Sequence, residues 1–140
     1  MAQFDPAGFL APVTILGKML VQDLWRTRCQ WDDLSYKKWT RWTSMLANVQ
    51  AFKLSRSYFG TARSDEIRDV QLHIFADAGE TGYGCVAYFR AMVRGEVKCT
   101  LVMSRAKVAP LKQVSIPRLE LLAAVLSARM SHTVRENHSI

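Results

Sequence analysis

The chain has 140 residues, enough for one domain with a real core, and its 49% hydrophobic and 22% charged residues exclude a disordered class. Lys and Arg outnumber Asp and Glu 19 to 12, a net charge of +7. That excess suits a polyanionic partner such as nucleic acid, though the scattered charges equally suit a solubilising surface.

No apolar run approaches the ~18 residues of a membrane span, so no membrane partner is expected. The N-terminus lacks the basic-then-apolar pattern of a signal peptide. Cys29, Cys85 and Cys99 are odd in number and show no C-x-x-C spacing. They read as reduced thiols in an intracellular compartment, cytoplasm or nucleus, and not as a zinc site. Cys85 and Cys99 are expected to be small buried hydrophobes.

Residues 1–11 place Phe4 and Phe9 around the turn punctuation Asp5-Pro6 and Gly8, and read as a connection from an upstream segment. A helix follows, with Pro12 in its first turn, where a missing N–H costs nothing. Val13, Leu16, Leu20 and Leu24 repeat at helical spacing, with Ile15, Met19 and Trp25 widening the stripe and Gly17 a weak spot inside it. Trp31-Asp32-Asp33 begins a second helix, since Asp32 or Asp33 can cap its free N–H groups. Leu34, Trp39, Trp42, Leu46 and Val49 form its apolar face, and Lys37, Lys38 and Arg41 its basic one. The two helices read as an antiparallel pair. Its tryptophans read first as core, and only second as platforms for stacking on bases.

Residues 52–59 are a short strand or extended linker, and the polar stretch 60–69 marks a boundary. The expected units are 1–60, a helical connection segment, and 61–140. A β-meander comes next: Val70–Ala76 with alternating burial, a turn over Asp77–Gly82, Tyr83–Ala91, a tight turn at Arg94-Gly95, and Glu96–Met103. Short connections make the three strands antiparallel neighbours. A loop over Ser104–Ser115 leads to a helix opened by Pro117, with Leu119, Leu122, Ala123, Leu126 and Met130 in one stripe. Leu121 and Val125 make this helix apolar nearly all round, so it is expected to be buried on more than one side. The tail, Ser131 to Ile140, is expected to fray. The fold class is α+β: an N-terminal helical pair, then a three-stranded antiparallel meander with one packed helix.

Two acids stand out. Asp77 ends the first strand-like run, followed by the small residues Ala78 and Gly79, which admit a close approach. Glu120 is the sole acid between Pro117 and Ser131, read as sitting in the helix's first turn. A strand-end Asp and a helical Glu packed across that strand can converge on Mg²⁺, and two-metal phosphodiester hydrolysis needs such carboxylates around ions about 3.5–4 Å apart. Each acid also has a plain role. Asp77 can form a turn, and Glu120 can face the helix dipole.

The segment Phe4–Thr14, the Leu24-Trp25 pair and the Trp31-Asp32-Asp33 turn resemble the stretch that follows the polymerase palm in BEL/Pao-type retrotransposon polyproteins. His73–Glu80 with Gly82-Tyr83-Gly84 resembles that family's D-A-S-x-x-A-Y-G element, with Gly79 where Ser is usual. Ser104-Arg105, Val108–Lys112 and Ile116–Leu121 resemble the motif leading into its ribonuclease H helix. The resemblance implies the first half of a ribonuclease H-like fold. It implies that Asp77 and Glu120 are the first two catalytic, metal-binding carboxylates, that Mg²⁺ is the cofactor, and that an RNA–DNA hybrid is the substrate during reverse transcription. The palm and the remaining acids would belong to the rest of the polyprotein, so the isolated chain is expected to be inactive, to bind hybrid or other nucleic acid weakly, and to leave the outer edge of its first strand open. A non-enzymatic nucleic-acid-binding or structural remnant is the alternative. A retroviral-type aspartic peptidase segment is a further one, because Asp77-Ala78-Gly79 superficially resembles D-[ST]-G, although Ala78 lacks the hydroxyl.

Overall fold

A computed structural model describes residues 5–28, 36–49 and 53–138. Helix α1 is Ala11–Thr27 and α2 is Tyr36–Val49. A 3₁₀ turn at Ser64–Glu66 leads into β1 (Ile67–Gly79), followed by β2 (Gly82–Val93), β3 (Glu96–Val108) and α3 (Ile116–Asn137). The sheet has the order β1-β2-β3 and both pairings are antiparallel. The α+β architecture expected from the pattern is therefore the one found. The Trp31-Asp32-Asp33 start, Leu34, Cys29, Phe4 and Phe52 lie outside the described residues.

The strands are longer than their sequence signals. β1 continues through Asp77 to Gly79, so Asp77 is in the ladder and the reversal is only Glu80-Thr81. β3 likewise absorbs the first part of the expected loop and ends at Val108. Local polarity predicts turns there, but each residue added to an antiparallel ladder satisfies backbone groups that would otherwise need water. Near its start β1 shifts register between Arg68 and Gln71, where Asp69 takes φ 52°. This bulge turns the preceding segment toward the β2–β3 turn. There Glu66 accepts from the backbone N–H of Arg63 at 2.9 Å and pairs with Arg94 at 2.9 Å.

The period-two rule of a strand separates the two sheet faces. On central β2, Cys85, Ala87, Phe89, Ala91 and Val93 are all buried. α3 covers this face. Leu119, Ala123, Met130 and Val134 are its buried residues, spaced to form one stripe, and the Cys85 thiol lies 3.7 Å from the Met130 sulfur. Leu121, at 63% exposure, and Val125 stay in water, so α3 is buried on one side and not all round as expected. Its C-terminal part does not fray. The helix runs to Asn137 because Val134 is 1% exposed, and His138 meets the Tyr58 hydroxyl at 3.1 Å and the Phe89 ring. Tyr58 and Phe59 pack against the same core, and the Tyr58 carbonyl accepts from the Thr100 hydroxyl at 2.6 Å.

The helical pair packs at the other face. A Cβ placed on Gly82 would lie 3.3 Å from Ile15 and 3.7 Å from Met19, which sets α1 over the end of the sheet opposite to α3. Backbone and side-chain ties reinforce it. Ser104 N–H donates to Ala7 at 2.8 Å, the Ser104 hydroxyl donates to Gly8, and the Gln22 amide donates to Ala109. Gly17, the expected weak spot, is where α2 comes closest, with the Trp42 indole lying against its bare backbone. Trp42 is half-buried, but Trp25 and Trp39 are exposed, at 74% and 43%, contrary to the core role expected for them. A helical stripe records only that one side is apolar, and α1 has too few partners to cover all of it. Cys99 is also exposed, unlike Cys85, because it lies on β3, an edge strand.

Candidate functional site

Asp77 pairs with Gly84 across the β1–β2 ladder. Directly paired residues of an antiparallel ladder share a face, and Gly84 shares its face with Gly82, under α1. Asp77 therefore opens on the sheet face that α3 leaves free. Phe75 stands beside it on β1, with its ring 6.3 Å from that of Tyr88 on β2. A cleft of about 450 Å³ runs from Asp77 past Tyr88 and Arg105 to Phe9, Pro12 and Ile15 at the start of α1. Asp77 is exposed in it.

Glu120 is the fifth residue of α3, past the first turn, so the dipole role read for it loses most of its force. Its neighbour Leu119 is 1% exposed and points into the sheet, which leaves Glu120 about 100° around the helix and exposed. It does not line the Asp77 cleft. Asp77 and Glu120 thus belong to opposite layers of the fold. α3 lies across β1 and β2, and β1 is an edge strand. Among the described residues no backbone hydrogen bond occupies that outer edge beyond the turn at Glu66.

The family model described as Pao retrotransposon-like RNaseH-like domain matches residues 1–140. The chain belongs to that family. It is a Pao/BEL retrotransposon polyprotein segment of nuclease-like ancestry. No curated protein and no solved structure matches it.

The RNaseH-like family implies nucleic-acid interaction in general. Mg²⁺ demands near-octahedral oxygen ligands and is usually held by one or two carboxylates, waters and substrate phosphates. Among the described residues no three His, Cys, Asp or Glu side chains converge as a metal-holding group. Two exposed carboxylates in separate layers do not make that donor set by themselves. No helix of the described residues is long and apolar enough to cross a membrane.

A groove of about 520 Å³ beside Trp42 is lined by Lys18 on α1 and by residues 104–106 of β3. Arg105 pairs with Cys85 across the ladder, so its side chain leaves the sheet on the α3 side. No local signal in the sequence announces the groove, because it depends on how α1 docks on β3. The Cys85 thiol is pushed up from its ordinary range by burial, partly offset by the positive charge of Arg105, so it is a packing group and no nucleophile.

Proposed function

We propose that this RNaseH-like segment binds nucleic acid inside the cell and does not by itself cleave it. The ancestral reaction is cleavage of the RNA strand of an RNA–DNA hybrid during reverse transcription. Asp77 and Glu120 are the half of a metal-dependent pocket that this stretch of chain contributes. The family match carries the ancestral half of this reading; the inactive half rests on two exposed acids in opposite layers, with no group of three His, Cys, Asp or Glu assembled among the described residues. The net charge of +7 supports the binding half of the reading.

Within this reading, Mg²⁺ would supply charge neutralisation at a scissile phosphate, and Asp77 and Glu120 are the residues offered to it. The chain's own residues supply the phosphate contacts. The aspartic-peptidase alternative would place its Asp at the tip of a loop, whereas Asp77 pairs with Gly84 in the β1–β2 ladder.

The test takes the chain with a labelled RNA–DNA hybrid, with Mg²⁺ or Mn²⁺. Binding that weakens steeply with added salt, without strand cleavage and without stoichiometric metal uptake by calorimetry, is the expected outcome. Hybrid cleavage abolished by Asp77→Asn would overturn the inactive half of the proposal. Absence of binding at low salt would overturn the other half.

A further inference from the structure

We infer that the outer edge of β1 is a self-association surface, where a second copy of this chain pairs β1 against β1, antiparallel about a twofold axis at Phe75, into one continuous sheet. The two edges of the sheet differ. At β3 the Ser104 N–H donates to the Ala7 carbonyl at 2.8 Å, so the chain covers part of that edge with its own backbone. β1 has no such cover among the described residues. α3 lies on one face of the strand, the helical pair docks toward β3, and no backbone hydrogen bond outside the β1–β2 ladder reaches residues 70–79. Alternate residues of an antiparallel strand point both N–H and C=O away from their one neighbour, so this edge presents a row of unpaired backbone groups. Native edges are commonly guarded by Lys, Pro or a bulge. Val70 to Gly79 holds no Lys, Arg or Pro, and its one acid is Asp77. The bulge sits before this stretch, at Asp69, and leaves the rest of the strand in regular register.

The strand is also complementary to itself. Its ladder with β2 runs without a shift from Gln71 to Gly79, between the bulge and the Glu80-Thr81 turn, and Phe75 is the midpoint of that stretch. A twofold axis there pairs the whole stretch with its copy: Gln71 with the partner's Gly79, His73 with the partner's Asp77, Phe75 with the partner's Phe75. His73, Phe75 and Asp77 share the sheet face that α3 leaves free, opposite Tyr88, Val86 and Gly84. An imidazole therefore stands opposite a carboxylate on each side of the axis, a favourable cross-strand pair. Both groups are available. The His73 Nε2 meets the Gln71 side-chain oxygen at 3.0 Å, which leaves Nδ1, and among the described residues the Asp77 carboxylate has no ion-pair partner. Phe75, 60% exposed, is covered by its own copy. On the α3 face large meets small, Leu72 against the partner's Ala78 and Ile74 against the partner's Ala76. A slip by one residue puts side chains on the wrong face, and a slip by two shortens the ladder and loses both His–Asp pairs.

The experiment is sedimentation equilibrium of the whole chain over a concentration series. A reductant keeps the exposed Cys99 from linking copies, and circular dichroism shows that each variant is folded. A reversible monomer–dimer equilibrium that closes at the dimer is expected. Phe75→Lys sets two ammonium groups at the axis and is expected to raise the dimer Kd at least about tenfold. Val97→Lys makes the same change at an exposed apolar residue of the same face, on the β3 edge, and is expected to leave the Kd as in the parent. His73→Asp sets two acids opposite one another on each side of the axis and is expected to weaken the dimer about tenfold, and adding Asp77→His restores the match in reverse, returning the Kd to within about threefold of the parent. Should Phe75→Lys lose its fold, the His73 series decides by itself. A parent that stays monomeric at every concentration, or grows into open-ended aggregates, overturns the inference. So does a dimer that Val97→Lys breaks and Phe75→Lys leaves intact, which puts the interface on β3. A double variant no tighter than His73→Asp alone overturns the twofold register.

Discussion

Replacing Gly17 with alanine sets two effects of similar size against each other. In a helix interior glycine is about 1 kcal/mol worse than alanine, so propensity alone favours the substitution. The seam between α1 and α2 opposes it. A Cβ on Gly17 would sit 2.5 Å from Trp42 Cζ2, 2.7 Å from Cε2 and 3.0 Å from Nε1. Carbon atoms rest at about 3.5–4.0 Å, so the indole must retreat by about 1 Å. The retreat carries Trp42 Nε1 from 2.9 Å to beyond hydrogen-bonding range of the Val13 carbonyl. Losing that bond costs about 1 kcal/mol, and up to about 3 if the donor stays shielded from water. The expected balance is a destabilisation of about 0–2 kcal/mol, the larger value if the indole N–H stays shielded. Gly79→Ala is the control, since nothing lies within 4 Å of its Cβ position, and it is expected to be neutral or stabilising by up to about 1 kcal/mol. Urea unfolding by circular dichroism gives the energies, and the Trp42 indole N–H resonance reports the seam. A Gly17→Ala chain at least as stable as the parent, with that resonance unmoved, would refute the reasoning.

Three further outcomes follow from the packing and the charges. Leu119→Ala should cost about 2–5 kcal/mol in denaturant unfolding, because Leu119 is 1% exposed, while Leu121→Ala on the open side of α3 should stay within about 0.5. The Arg94 guanidinium, then the Arg63 backbone N–H, hold the Glu66 carboxyl below its ordinary pKa. A depressed carboxylate stabilises the fold above its unfolded pKa, and that contribution disappears as pH falls through the depressed folded value. Glu66→Gln should therefore flatten the acid limb of a stability–pH curve and leave its shape near neutrality unchanged. In a Cys29→Ser background, Cys99 should react with a thiol reagent under native conditions. Cys85, buried and with its pKa raised, should react only on unfolding, as mass spectrometry would show.

The meander and α3 were legible because they rest on local periods. Val70, Leu72 and Ile74 alternate, Arg94-Gly95 signals a tight reversal, and Leu119, Ala123 and Met130 recur at helical spacing. Such patterns survive in any tertiary context that offers one apolar layer. Gly17 shows where this logic stops. As a residue it is a helix flaw, and only the approach of Trp42 makes it a contact point. Likewise Leu121 and Val134 look alike in the sequence, yet one faces water and the other the core, since burial depends on what α3 lies against.

By itself, the sequence determined the α+β class, the order of elements, the family and the two acids worth asking about. The tertiary structure alone decided that Asp77 and Glu120 lie in opposite layers, because a face is set by register, and register is a relation between strands far apart in the chain. It also decided that Lys18 of α1 and Ser104 of β3 line one groove, because that proximity is created by the docking of a helix on a strand edge and is written in no local pattern.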